Sequence, residues 1–346
     1  MYARAARATG RPTFFLTGTD EHGLKVEQSA AARGVPPQQL ADENSAAFRA
    51  VMTGLNISFD DFWRTTDVAH TRQVQALVSR LQASGAVYLG EFEGWYDAGQ
   101  EEYYAEMKAK ELDYKSPISG KPLVRAREEN YYFRLSAFQS RLEALLEQQP
   151  SFVQPQARRN EMLGRLKEGL SDVPISRTNF RWGIPMPGDE RHVIYVWIDA
   201  LLNYVTALGL GEAPGEARRE ARQRFWPATL HVMAKEIAWF HAVIWPAMLM
   251  ALELPLPRAV YAHGFWIRDG VKMSKSLGNF VDLVAIKRYT DAYGLDAFRY
   301  FLVVDGPGAA NGAAANCRVA FACHVADAQS RGALHCRRQL QRGAAA

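Results

Sequence analysis

The pentapeptide Lys272–Met273–Ser274–Lys275–Ser276 is the most informative stretch of this sequence. It follows a predicted strand and a turn at Arg268–Asp269–Gly270, which indicates a loop. Two ammonium groups and two hydroxyls on one loop can bind a polyphosphate, and they can stabilise the charge that grows on a leaving pyrophosphate. By composition alone, an ordinary solvated basic loop explains the same residues, so the flanking sequence has to decide.

Strand-like and helix-like segments alternate along the chain that precedes this loop. A helix is predicted after Thr66 or Asp67, with Gly85 at its end. Its apolar face carries Val74, Leu77, Val78 and Leu81. The predicted strands are Thr13–Thr17, Ala86–Leu89, His192–Trp197, Thr229–Met233 and Ala259–His263. A helical run through Phe240, Ile244 and Met248 lies between the last two of these strands. Such alternation predicts an α/β fold built on a parallel sheet.

A polar segment interrupts this pattern between about residues 94 and 176. It is rich in Glu, Lys and Tyr, is weakly periodic, and contains a turn at Ser119–Gly120. We expect an insertion with its own small structure.

Composition narrows the class of protein. The chain has 346 residues with a net charge of +4, which permits a nucleic-acid partner without requiring one. No apolar run reaches membrane-spanning length, so we expect a soluble, cytoplasmic protein without a membrane partner. All three cysteines, at positions 317, 323 and 336, lie near the end of the sequence, so the preceding body offers no thiolate ligands for a metal.

Several separate motifs resemble the methionyl-tRNA synthetases, a family of class I aminoacyl-tRNA synthetases, over about residues 1–304. The pentapeptide at 272–276 matches the class I signature. The other matching motifs are Thr17–Gly23, Ile175–Arg177, Trp182–Pro185, Tyr195–Ala200, Phe240–Val243 and Ala262–Phe265. The resemblance implies a Rossmann-like parallel sheet split by a connective insertion domain.

The resemblance also implies a methionine site. Such a site needs a carboxylate for the ammonium group, aromatic walls for the thioether and a polar group near the sulfur. Asp20 matches the position that holds the ammonium group. The side-chain pocket matches Trp197, Ala200, Tyr204, Ile237 and His241. Without the resemblance, helix capping by Asp20, ordinary core packing and a satisfied core histidine explain these residues.

An ATP site follows from the same resemblance. Lys272, Ser274 and Lys275 match the phosphate-binding loop, with the two lysines as catalytic groups, and His263 and Gly264 match a strand end near the adenosine. The expected partners are methionine, ATP with Mg²⁺, and tRNA(Met).

Two departures from the family pattern carry their own expectations. The sequence contains neither the family's H-I-G-H motif nor the strand before it, so we expect a core shortened at its N-terminus that activates methionine slowly. Asp97, Gln100, Ser116 and Ser119 stand where zinc-containing members have cysteines. Because serine and glutamine are poor zinc ligands, we predict no structural zinc.

The expected domains follow the motifs. Residues 1–92 form the first part of the catalytic domain, 93–176 a zinc-less connective insertion, 177–264 the second part, 265–304 the signature loop and stem-contact region, and 305–346 an irregular tail. The tail fits disorder or a shifted reading frame better than a metal site.

The function implied is ATP-dependent activation of methionine and its transfer to tRNA. Two alternatives stay open at this point: an incomplete fragment that only binds ligands, and a class I synthetase for another aliphatic amino acid.

Overall fold

The computed structural model describes residues 2–97, 102–104, 106–117, 119–265, 267–268, 271–273, 279 and 281–304. The chain divides into two compact units. The larger unit consists of residues 1–231 and 237–261, and the smaller one of residues 232–236 and 262–346. Every residue expected to contact methionine belongs to the larger unit.

The larger unit begins with two parallel strands joined through helices. These elements are α1 Tyr2–Ala8, β1 Leu16–Thr19, α2 Leu24–Arg33, α3 Pro37–Gly54, β2 Asp61–Arg64 and α4 Val68–Ala83. Leu16 pairs with Asp61 and Thr19 with Arg64. Two parallel strands with a helical connection form the unit that the sequence predicts.

Close backbone contact between β1 and β2 depends on Gly18. A Cβ at this position would lie 1.7 Å from the carbonyl oxygen of Trp63. Helix α4 buries Val74, Leu77 and Leu81, which confirms its predicted apolar face. After the helix, Gly85 adopts a φ of 73°, a conformation that glycine tolerates without strain.

The polar middle segment forms a mainly antiparallel structure, but one of its strands, β6, pairs in parallel with a later strand at residues 260–261. Its elements are β3 Val87–Asp97, β4 Glu102–Tyr104, α5 Glu106–Glu111, β5 Val124–Phe133, α6 Gln139–Gln148, β6 Val153–Gln154, α7 Gln156–Lys167 and β7 Val173–Pro174. A four-stranded sheet has the order β4-β3-β5-β7. The strand expected at residues 86–89 therefore exists, but it pairs antiparallel with β5 rather than joining a parallel sheet. Strand β3 also continues across the expected boundary between residues 92 and 93. The domain boundaries stay predictions.

A second small antiparallel sheet leads into the helix of the expected pocket. Its elements are β8 Ser176–Arg177, β9 Pro185–Met186, β10 Asp189–Ile194 and α8 Val196–Thr206. The expectation of a strand over 192–197 is wrong at its end, because β10 stops at Ile194 and Val196 opens α8. Periodicity alone does not separate a short apolar strand from the first turn of a helix.

Short elements follow up to residue 263, and residues 232–234 and 262–263 of their strands belong to the smaller unit. The elements that remain up to residue 263 are α9 Ala217–Arg222, β11 His231–Ala234, α10 Trp245–Ala251 and β12 Val260–His263. Val260 pairs in parallel with Val153, and the backbone N–H of His231 donates to the carbonyl of Ala259. One turn of π-helix at Phe240–Ile244 precedes α10.

The smaller unit contains a hairpin and two helices. These are β13 Ile267–Arg268, β14 Val271–Lys272, α11 Leu283–Tyr293 and α12 Leu295–Val304. The Asp282 carboxylate caps α11 by accepting the N–H of Ala285 at 2.7 Å. Within the described part of the chain, none of the helices combines the length and apolar character needed to cross a bilayer. The tail at 305–346 lies outside the described residues.

Candidate active site

The loop after β1 carries the first group of candidate residues. Glu21 in this loop is buried, and its carboxylate accepts two hydrogen bonds from Arg64, at 2.8 and 2.9 Å. Thr66 also donates to it, at 2.5 Å. A buried carboxylate bound by a two-pronged guanidinium is geometrically fixed. Glu21 therefore anchors the loop to β2 and sets the position of its neighbour, Asp20.

The same loop is tied to the segment that begins at Trp182. The Trp182 indole N–H donates to the carbonyl of Glu21 at 2.6 Å, and the N–H of Gly23 donates back to the Trp182 carbonyl at 3.0 Å. Glu27 in α2 accepts the backbone N–H groups of Arg181 and Trp182. Two motifs that lie about 160 residues apart in the sequence thus meet.

A buried aspartate connects this loop to α8. The Asp199 carboxylate accepts hydrogen bonds from His22 Nδ1 and His70 Nε2, both at 2.6 Å. Burial alone raises the pKa of Asp199, but the hydrogen bonds from the two imidazoles outweigh burial and hold it below its ordinary value of 3.8. Its position in the first turn of α8 also favours the anion.

The protonated nitrogen of His70 follows from its other contact. The Trp63 indole N–H donates to His70 Nδ1 at 3.1 Å, so Nδ1 is an acceptor. His70 Nε2 therefore carries the proton that Asp199 accepts. The whole arrangement is a buried hydrogen-bonded network that joins α4, α8 and the β1 loop.

The negative charge of Asp199 also acts on the carboxyl of Asp20. Burial of the carboxyl and the negative charge of Asp199 raise the pKa of Asp20 to about 8, although a hydrogen bond from the backbone N–H of His22 acts in the opposite direction. Because the residue as a whole is exposed to solvent, water screens part of this effect. A bound cation would stabilise the ionised form of this carboxyl and lower its pKa.

Most of the residues expected to hold the methionine side chain lie on α8 and on the π-helical turn. The rings of Trp197 and Phe240 stack with centroids 4.2 Å apart and an angle of 14°. Ala200, 9% exposed, lies one turn further along α8. π-Helical turns shift the side chains that follow them, and they occur often at functional sites. Here the turn contains His241.

Tyr204 on α8 and His241 in the π-helical turn form a neutral polar pair. His241 Nδ1 donates to the carbonyl of Ile237 at 3.0 Å, so its Nε2 accepts the Tyr204 hydroxyl at 2.9 Å. Burial lowers the pKa of His241 and raises the pKa of Tyr204 to about 12. Both groups are therefore uncharged at neutral pH, which suits a polarizable, uncharged thioether.

The sites expected for ATP are only partly described. In the smaller unit, His263 ends β12 and its Nδ1 donates to the carbonyl of Gly264 at 2.8 Å. Lys272 ends β14. Ser274 and Lys275 lie outside the described residues, so the phosphate-binding role of this loop stays a prediction.

Two hydrogen bonds fix the turn that contains Ser116 and Ser119, where we predict no zinc. The backbone N–H of Ser119 donates to Oγ of Ser116 at 3.1 Å, and the N–H of Ser116 donates to the carbonyl of Lys121. Gln100 lies outside the described residues. Among the residues that are described, no three His, Cys, Asp or Glu side chains are grouped so as to hold a metal ion.

Sequence reasoning missed four side chains of this site. His22 and Asp199 lie inside quoted motifs but were given no role. His70 has no sequence signal, because a lone histidine on a helix face is ordinarily a core residue. His231, buried against Tyr204 with ring centroids 4.1 Å apart, also has none.

The sequence and the fold both match known proteins. A family model described as tRNA synthetases class I (M) matches residues 1–112 and 106–316. Methionine–tRNA ligase of Halalkalibacterium halodurans is 45% identical over 320 residues, which are 90% of this chain and 47% of that protein. Methionine–tRNA ligase of Brucella suis is 47% identical over 309 residues, which are 88% of this chain and 58% of that protein.

A solved relative has the same fold. The crystal structure of Mycobacterium tuberculosis methionyl-tRNA synthetase bound by methionyl-adenylate aligns with a TM-score of 0.76 and 45% identity. The alignment covers 87% of this chain and 58% of that one. The chain thus spans about half the length of the curated relatives it matches, and its mixed α/β fold is the Rossmann-like fold of class I synthetases. The motifs, the fold and the family model agree, and the chain belongs to the class I tRNA synthetases (M).

Proposed function

We propose that this chain carries a catalytic core that activates methionine with ATP and transfers the methionyl group to tRNA(Met) in the cytoplasm. The observation that supports this most directly is the neutral Tyr204–His241 pair, which joins the same two elements as the Trp197–Phe240 stack. Such a pocket accommodates a long, uncharged, polarizable side chain. The names of the relatives, and the methionyl-adenylate bound by one of them, agree with this substrate.

Each substrate group has a proposed partner. Asp20 holds the ammonium group of methionine, and the pocket of Trp197, Ala200, Tyr204, Ile237 and His241 holds its side chain. His263 and Gly264 lie along the adenosine, and Lys272, Ser274 and Lys275 hold the phosphates. Mg²⁺ enters with ATP as part of that substrate, and we expect no structural zinc.

The chemistry has two balanced steps. A carboxylate oxygen of methionine attacks the α-phosphorus of ATP, the bond to the bridging oxygen breaks, and pyrophosphate leaves with that electron pair. The lysines stabilise the charge that develops on the pyrophosphate. A terminal ribose hydroxyl of the tRNA then attacks the acyl carbon, loses its proton and displaces AMP.

Methionine-dependent exchange of labelled pyrophosphate into ATP tests the first step. The chain should catalyse exchange with methionine and much less with leucine, because a branched Cγ does not fit a pocket shaped for a straight thioether. Equal exchange with both amino acids would favour a synthetase for another aliphatic amino acid. Methionine binding without exchange would favour an incomplete fragment.

A further inference from the structure

The larger unit buries a histidine that neither the motifs nor the proposed mechanism uses. His231 is 5% exposed and lies at the start of β11. Its ring lies against that of Tyr204, with centroids 4.1 Å apart at an angle of 42°. Its own backbone is fixed by the N–H bond to the carbonyl of Ala259.

A second contact explains why a histidine rather than an apolar residue occupies this place. Trp245 is completely buried, and its indole N–H donates to His231 Nε2 at 3.3 Å. A buried donor without an acceptor costs more than a hydrogen bond contributes. His231 supplies this acceptor while its ring packs on Tyr204, and the Trp245 ring also approaches Tyr204, at 5.9 Å.

The two contacts together constrain one side chain of the pocket. Tyr204 has two rotatable side-chain bonds, and its bond to His241 fixes only the hydroxyl end. His231 and Trp245 pack against its ring. Their mutual hydrogen bond keeps them in a single arrangement. A shift of the Tyr204 ring would separate its hydroxyl from His241 and change the shape of the wall.

We propose that His231 is a positioning residue of the amino-acid pocket, which fixes the Tyr204 wall through its ring and through the indole of Trp245 without touching the ligand. The proposal rests on the proposed function, because it takes methionine as the occupant of that pocket. Burial, with a smaller contribution from His241, lowers the pKa of His231 to about 3, so Nε2 stays unprotonated and able to accept at neutral pH.

Two substitutions separate this role from general stability. His231→Phe keeps a ring against Tyr204 but removes the acceptor for Trp245. His231→Gln offers an amide oxygen to the indole in place of the ring nitrogen. The control is His192→Phe, at another buried histidine, whose partner is Ser176.

Calorimetry with methionine and with ATP on the full chain gives the first readout. We expect His231→Phe to weaken methionine binding about tenfold, because the buried indole N–H of Trp245 loses its acceptor. ATP binding should stay unchanged, because the substitution alters only the amino-acid pocket. His231→Gln should stay within about threefold of the wild type. Equal losses for methionine and ATP, or a loss as large in His192→Phe, would overturn the proposal.

The second readout does not depend on any ligand. In a ¹H–¹⁵N spectrum, the indole resonance of Trp245, assigned with Trp245→Phe, should move in His231→Phe and stay near its wild-type position in His231→Gln. An unmoved resonance in His231→Phe would overturn the proposal even in a chain that binds methionine. Conversely, a wild-type chain that ignores methionine but shows the expected resonances would overturn the proposed function and keep the contact between His231 and Trp245.

Discussion

His70 Nε2 lies 2.6 Å from Oδ1 of Asp199, and less than 2% of either side chain is exposed. The other carboxylate oxygen accepts from His22 at the same distance. Asp199 is therefore the shared acceptor of two imidazoles that come from different elements. Because the aspartate lies on α8 and His22 follows Asp20 and Glu21, this contact holds the expected ammonium-binding loop against the expected side-chain pocket.

Asp199→Asn should lower the free energy of unfolding by about 2–4 kcal/mol, because it weakens two charge-assisted hydrogen bonds in a buried place. Urea unfolding at pH 7 measures the loss. The matched control is Asp291→Asn, which removes an exposed ion pair with Lys287 and should cost less than about 0.5 kcal/mol. Equal effects of the two substitutions would contradict a structural role for the network.

The same aspartate predicts part of the acid sensitivity. Its folded pKa lies below the ordinary value of 3.8, so its stabilising contribution is complete above that value. It is lost as the pH falls through the lower folded pKa. Acid titration of stability should therefore show a steeper loss below about pH 4 in the wild type than in Asp199→Asn. Parallel curves would contradict the assigned pKa direction.

Asp20 should make methionine binding dependent on pH. Its pKa is raised, so at pH 6 the carboxyl holds a proton that must leave before it can pair with an ammonium group. Affinity should therefore rise with pH, by at most about tenfold per unit, and level off near pH 8. Calorimetry in buffers of different ionisation enthalpy should detect proton release at pH 6.

Asp20→Asn is the control for this pH dependence. It should bind methionine weakly and with a flat profile. Since an acid with a raised folded pKa destabilises the folded state as the pH rises above its unfolded value, this variant should also unfold at a higher temperature than the wild type at pH 8. A flat profile in the wild type would argue against Asp20 as the ammonium partner.

Elements with clear apolar spacing follow from the sequence, whereas the pairing of strands does not. Helix α4 was predictable because its apolar residues recur at helical spacing and Gly85 follows them. The strand at Val87–Asp97 was predictable as a strand, but nothing local distinguishes a partner in a parallel sheet from the antiparallel β5. Residues 192–197 were assigned to one strand because an apolar run does not show where α8 begins.

Some residues of the candidate site could also be predicted from the sequence, and others could not. Tyr204 and His241 could be named because they match side-chain pocket positions of a known family, and the structure shows them hydrogen-bonded. His70 and His231 could not be found, because their roles depend on Asp199 and Trp245, which are 129 and 14 residues away in the chain. A residue that acts through a distant partner leaves no local pattern.

Gly18→Ala should disrupt the parallel pair of β1 and β2. The added methyl would lie 1.7 Å from the carbonyl oxygen of Trp63, a distance that backbone can relieve only by moving. We expect a loss of about 3 kcal/mol or more in the free energy of unfolding. Gly164→Ala in α7, where no atom lies within 4 Å of the new methyl, should instead stabilise by up to about 1 kcal/mol. A neutral Gly18→Ala would show that the strands are further apart.

The purified chain should contain well under one equivalent of zinc. Ser116 Oγ accepts a backbone N–H from Ser119, and neutral hydroxyls are poor ligands for zinc. Elemental analysis after dialysis measures the content. A full equivalent that disappears when Cys317, Cys323 and Cys336 are replaced by serine would show that the tail binds the metal.

Tyr204→Phe should reduce the preference for methionine. The substitution leaves His241 Nε2 without its donor, while Nδ1 stays bound to the carbonyl of Ile237. A buried acceptor without a partner draws in water or shifts, and either change spoils a wall that packs against a straight thioether. We expect methionine affinity to fall about tenfold and leucine affinity to change less, so the ratio of the two melting-temperature shifts decreases. Tyr2→Phe, at a residue that is 79% exposed, should leave both shifts unchanged. An unchanged ratio in Tyr204→Phe would mean that the hydroxyl does not shape the pocket, and selection would then rest on the Trp197 and Phe240 rings alone.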